Sequence, residues 1–150
     1  MGKYELDEFE VFFKTLYAEC RGEPRRGQEW VGWVIKNRAR RNKSYWGGNT
    51  IRGVCLYNHQ FECWTKKDDI HMDSNEFSGW ARNLELSPQN YESVKAWVWN
   101  LYQSTGPDPS KGADHYNNPN IGGYPKWTEN CDFLEKIGKH QFYISKCFNK

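Results

Sequence analysis

Three stretches of the chain repeat apolar residues at helical spacing, and two short stretches nearer the C-terminus alternate instead. Phe9, Phe12, Phe13, Leu16, Tyr17 and Cys20 share one face and predict a first helix over residues 6–21. Asp7 with Glu10 three residues later has the form of a capping box. Gly22 reads as a left-handed stop, with Pro24 just beyond it. Trp30, Val31, Val34, Ile35 and Arg38 predict a second helix over about residues 27–41, with Trp33 and Asn37 on its flank. Two helices joined by so short a turn form a hairpin, which sets residue 19 beside the start of the second. Ser87 as cap and Pro88 at the first helical position open a third helix. Its buried stripe is Tyr91, Val94, Trp97, Val98, Leu101 and Tyr102, and it is expected to stop at Gly106 before Pro107 and Pro109. Alternation over 113–119 and 140–144 predicts strands. The fold class expected is α+β, a helical core with a small antiparallel β-sheet. Residues 44–53 and 65–80 read as loops. In the first of these, Trp46 ahead of two glycines suits a substrate platform or a lid anchor.

Composition sharpens this picture in a few places. A chain of 150 residues suits one domain over 1–150. Aromatic residues make up 17%, with eight Trp and nine Tyr. Such an excess implies an aromatic core or a sugar-facing groove, since flat rings stack on pyranose faces and Tyr and Trp add a polar handle. A net charge of +2 tolerates anionic wall polymers but is too small to argue for nucleic acid. Arg38, Arg40, Arg41 and Lys43 read as a solvated helix end matched to the helix dipole. No apolar run approaches the roughly 20 residues of a membrane span. The opening MGKYELDEFE is too charged for a secretory signal, so phage-type release or loss of a leader is expected. The cysteines, Cys20, Cys55, Cys63, Cys131 and Cys147, are odd in number, so at least one is unpaired. Cys20 is the candidate buried thiol, while Cys55 with Cys63 and Cys131 with Cys147 could pair under oxidising conditions. None has C-x-x-C metal spacing. Asp68, Asp69, Asp73, Asn75 and Glu76 lack the spacing of an EF-hand. With no heptad or long exposed edge, a monomer is expected.

Glu19 carries the candidate chemistry. It falls in the last turn of the first helix, beside the apolar Cys20. A helix C-terminus disfavours an ionised carboxylate, and partial burial acts in the same direction. Both are expected to raise its pKa towards the range of a general acid. The bland alternative is a surface glutamate. Glu23, on the turn, is expected to be solvated or to brace Arg21, Arg25 or Arg26.

The stretch containing Ala18, Glu19, Arg21, Gly22 and Glu23, then Gly27-Gln28 and Asn37-Arg38, resembles the opening of the spore-cortex-lytic (SleB-type) family of cell-wall hydrolases. VCLYNHQFECW at 54–64, GADHYNNP at 112–119, PKW at 125–127 and IGKHQFY at 137–143 resemble the family in the same order. The resemblance implies a lysozyme-like, transglycosylase-like fold and cleavage of peptidoglycan glycan strands, with Glu19 as catalytic acid/base. It further implies that Gln60 and Phe61 line the groove and Gln60 orients substrate or Glu19. Tyr116 and Asn118 would touch substrate, and Trp127 would wall the cleft. Glu62 stands where a small residue is usual and Asn117 where an aromatic one is common.

Glycosidases normally use two carboxylates, whereas a lytic transglycosylase needs one. Only Glu19 stands out, so transglycosylation between N-acetylmuramic acid and N-acetylglucosamine is the expected reaction. A hydrolytic muramidase, with water positioned by Glu62 or Asp114, is the alternative. Neither requires a metal or cofactor. A zinc amidase built from His59, His71, His115 and His140 lacks paired ligand spacing. A non-catalytic wall-binding module, favoured by the aromatics, would keep its affinity on loss of Glu19 and release no sugar fragments.

Overall fold

The computed structural model describes residues 7–20, 22–57, 61 and 88–149. The helices are α1 (Glu8–Cys20), α2 (Arg25–Arg41), α3 (Ile51–Leu56), α4 (Pro88–Gln103) and the short α5 (Pro119–Gly122). The strands are β1 (His115–Asn117), β2 (Cys131–Ile137) and β3 (His140–Ser145). The predicted stripes form the core. Val11, Phe12, Phe13 and Leu16 of α1 meet Trp30, Val31, Val34 and Ile35 of α2, with Val98 and Leu101 of α4 and Phe142 of β3. Each such side chain contributes about 1.5–3 kcal/mol on leaving water. At Gly32 an added Cβ would lie 2.5 Å from Leu101 Cδ2, so this glycine lets α2 and α4 approach.

The caps follow local chemistry. Glu10 N–H donates to Asp7 Oδ1 at 2.7 Å, the N-terminal half of the expected capping box. Glu8 then ties three helices, accepting from Arg52 N at 3.1 Å and from Tyr102 OH at 2.7 Å. The end of α1 differs from expectation. Gly22 does not adopt a positive φ, and the chain turns through Glu23 N–H donating to Cys20 O at 2.9 Å. α2 begins two residues earlier than expected, directly after Pro24. α3 starts within the expected loop, where Thr50 Oγ1 caps Gly53 N at 2.9 Å.

The basic end of α2 is a second correction. Arg38 and Arg41 turn inward rather than into solvent. Asn37 Nδ2 donates to Asp108 Oδ2 and to Ala113 O, both at 2.9 Å. Arg38 Nε donates to Asp114 O at 2.8 Å, and Arg41 Nη2 to Gly112 O at 3.0 Å. The Asn-Arg pair at the end of α2 thus fixes the segment that leads into β1.

The sheet is antiparallel in the order β1-β3-β2, with β1 at an edge. β2 escaped the sequence reading because its alternation breaks at a bulge between Phe133 and Glu135. Tyr116 pairs with Phe142 on the helical side, and His115 with Tyr143 on the other side. Trp127, on a 3-10 turn at Lys126–Asn130, covers that outer side, with its ring 4.6 Å from His115 and 5.3 Å from Tyr143.

Glu23 is a third correction: it is largely covered rather than solvated, and among the described residues it pairs with neither Arg25 nor Arg26. Its Oε1 accepts from Lys139 N at 2.9 Å and so clamps the β2–β3 hairpin against the α1–α2 turn. Among the described residues no helix is long and apolar enough to cross a membrane. Cys20, Cys55 and Cys131 are buried free thiols and Cys147 an exposed one, so the Cys131–Cys147 pairing is not made. Cys63, Ser87, Arg21 and the 65–80 loop lie outside the described residues.

Candidate active site

α1, α2 and β1 converge on a cavity of about 350 Å³. Glu19 enters it from the last turn of α1, Arg38 from α2 and Tyr116 from β1. Tyr116 OH donates to Glu19 Oε1 at 2.9 Å. Burial, followed by the charge of Glu19, pushes the Tyr116 hydroxyl well above its ordinary pKa, so it serves as a fixed donor. Phe61 is buried and closes part of the wall. His140 packs behind Tyr116 with ring centroids 4.9 Å apart. Its Nδ1 is 3.6 Å from Glu23 Oε1, too far for a hydrogen bond.

Trp46, His115 and Trp127 form the remaining wall. His115 is held on its Nδ1 edge, 2.8 Å from Asp114 Oδ1 and 3.7 Å from Cys131 Sγ. Asp114 is completely buried. Its Oδ2 accepts from Arg41 Nη1 at 2.6 Å, and Ser145 N–H lies 2.9 and 3.1 Å from its two oxygens. Asp114 is therefore no second catalytic carboxylate. Its oxygens are taken, and its one route to the cleft is through the His115 ring. Asp114, His115 and Cys131 place their donor atoms within 4.8 Å of one another. Burial pushes the Cys131 thiol up to about 11. The Asp114 oxygens are already engaged by Arg41, Ser145 and His115, which makes this set a hydrogen-bonded wall.

Of the residues singled out from sequence, Glu19, Phe61, Tyr116 and Trp127 meet in one cavity. Asn118 does not line it: its side chain caps α5, accepting from Asn120 N at 3.0 Å. Gln60 and Glu62 lie outside the described residues. Arg38 and His115 were missed as wall residues. Arg38 carried a signal, being a charge on the apolar stripe of α2. Burial lowers its pKa, with Tyr116 and Asp114 opposing. His115 carried none, since its role comes from Trp127 and Asp114 folding against it.

Comparison with known proteins bears on this arrangement. The model of a family described as Cell Wall Hydrolase matches residues 22–143. The spore cortex-lytic enzyme of Bacillus subtilis (strain 168) is 28% identical over 141 residues, 94% of this chain and 39% of that protein. A spore cortex-lytic enzyme of Bacillus cereus is 29% identical over 139 residues, 93% of this chain and 45% of that protein. The chain thus spans less than half the length of these curated relatives. Among solved structures, the catalytic domain of the germination-specific lytic transglycosylase SleB from Bacillus anthracis superposes with a TM-score of 0.64 at 29% identity. That match covers 91% of this chain and 93% of the other. The catalytic domain of the Bacillus cereus SleB protein gives the same TM-score and identity, covering 91% and 88%. The expected lysozyme-like, transglycosylase-like α+β class, helices with a small antiparallel sheet, is the fold of these domains.

Proposed function

The chain belongs to the cell wall hydrolase family, and on that premise we propose that it cleaves peptidoglycan glycan strands of the bacterial cell wall as a lytic transglycosylase. The bond cut joins N-acetylmuramic acid to N-acetylglucosamine. One observation carries the reading: among the described residues, Glu19 is the only carboxylate lining the cavity. A glycosidase that activates water normally needs two.

Glu19 donates its proton to the glycosidic oxygen as the C1–O bond breaks, releasing the N-acetylglucosamine hydroxyl. The C6 hydroxyl of the same muramic residue then attacks C1 and returns a proton to the Glu19 carboxylate. A 1,6-anhydro end forms, no water is consumed and Glu19 regains its starting state. Tyr116 holds the carboxyl in one orientation through both transfers. A positioned acid of this kind contributes roughly 10²–10⁴-fold.

Mass spectrometry of fragments from purified peptidoglycan, with Glu19→Gln in parallel, tests the reading. Anhydro-muramic ends made by the parent and lost in the variant are expected. Reducing muramic ends would move the protein to hydrolysis. Free stem peptides, or no fragments at all, would overturn glycan cleavage.

A further inference from the structure

A second cavity, of about 450 Å³, adjoins the first across Trp46, His115 and Trp127. It exceeds the catalytic cavity and falls within the roughly 300–1,000 Å³ of small-molecule sites. Its outer wall is Tyr45, whose ring stands edge-on to Trp46 at 5.1 Å and is 57% exposed. Its floor is Ser145, Lys146 and Cys147, on the end of β3 and the 3-10 turn that follows. That floor lies after residue 143, beyond the stretch matched by the family model.

We propose that this cavity is a second glycan subsite, occupied by the next N-acetylated sugar of the strand that Glu19 cuts. The proposal rests on the glycan-cleaving reading above and extends it. Continuity supports it, because a polymer lying in the catalytic cavity must leave by a path that its walls allow. The three shared aromatic side chains border both cavities, so a strand crossing them passes into the second. The chemistry of the walls agrees. Tyr45, Trp46 and Trp127 present flat rings with polar edges, which suits sugar faces. Asn130, Ser145 and Lys146 add polar partners for hydroxyl and acetamido groups. The wall is also fixed before substrate arrives. His115 is clamped by Asp114, and Trp46 is buried between His115 and Phe148 at 5.8 and 5.9 Å.

Cys147 offers a direct readout, as an exposed thiol in the floor. In the intact Glu19→Gln protein, peptide-free glycan octasaccharide should slow iodoacetamide alkylation of Cys147 at least about fivefold. Peptide mass spectrometry reads that thiol separately, and tryptophan fluorescence establishes saturation. An unchanged alkylation rate at saturating glycan would overturn the subsite. Independently, Tyr45→Ala should raise KM on long strands about 3–10-fold with kcat within about twofold, the size of one aromatic stacking contact. A KM within twofold of the parent would count equally against it. These outcomes are separate from the parent reading. Failure to cut glycan overturns the transglycosylase, whereas Glu19-dependent cutting with no Cys147 protection overturns the subsite alone.

Discussion

Among the described residues, two carboxylates stand near the cleft, Glu19 in its wall and Asp114 behind it, and their surroundings differ. Glu19 opens into the cavity and accepts from a neutral tyrosine hydroxyl. Asp114 is sealed from water and meets Arg41, the Ser145 amide and His115. A buried carboxylate whose oxygens are taken by a guanidinium, a backbone amide and an imidazole has no face left to meet a substrate. Glu19, by contrast, faces the cavity, with a hydrogen bond from Tyr116. On the proposed reading, one acid serves the chemistry and the other is a structural brace.

The sharpest way to break this contrast is to substitute each acid and read activity and stability together. Glu19→Gln keeps the shape and should lower kcat by about 10²–10⁴-fold. Its Tm should stay within about 2 °C of the parent, as for a side chain outside the core network. Asp114→Ala should reverse the pattern. Loss of one partner of a buried ion pair costs about 3 kcal/mol or more, or roughly 6–12 °C in Tm for a chain of this size. Urea unfolding and strand cleavage measured on both variants check it. A stable Asp114→Ala protein without activity would make Asp114 a chemical participant after all.

The Glu19 side of the molecule was far more legible in sequence than the Asp114 side, and the reason is physical. Glu19 is placed by one helix whose stripe and N-terminal cap are written in consecutive residues. The cavity wall around His115 depends on Arg41, Cys131, Ser145 and Trp127, which lie far apart in the chain and meet only after the sheet forms. Local periodicity carries no record of such meetings. The bulge in β2 hid a strand for the same reason, since the extra residue breaks the period of two. Glu23 is instructive because it sits in the same short motif as Glu19 and was read as a surface charge. Its partner, the Lys139 amide, is supplied by a hairpin more than a hundred residues away.

Gly138 extends the contrast between chemical and structural acids to Glu19 and Glu23. Gly138 has φ +58°, and an added Cβ would stand 2.5 Å from Glu23 Oε1. Gly138→Ala should therefore cost about 1–2 kcal/mol for the left-handed backbone, with displacement of the Glu23 carboxylate in addition. Calorimetry should show a lower Tm, and kcat on peptidoglycan should change far less than in Glu19→Gln. A kcat loss as large as that of Glu19→Gln would place the hairpin clamp in the chemistry.

The smallest effect concerns His140, which joins the two sides by packing behind Tyr116 and near Glu23. Burial lowers its pKa from the ordinary 6.5, and the Glu23 charge opposes that shift only in part. The folded state then holds fewer protons on this group than the unfolded state between the two pKa values. Stability from His140 is fully present above about pH 6.5 and is lost as pH falls towards the folded value. His140→Phe removes the titration while keeping a ring behind Tyr116. The fall in Tm between pH 7 and pH 5 should be smaller in the variant than in the parent. An identical fall in both would show that acid sensitivity arises elsewhere. Glu23→Gln should act in the opposite sense. Without the carboxylate charge, protonated His140 has no counter-ion, so its folded pKa drops further and the acid limb steepens. If both shifts appear while the Tyr116–Glu19 contact keeps kcat constant across them, the clamp sets stability alone and the chemistry stays with Glu19.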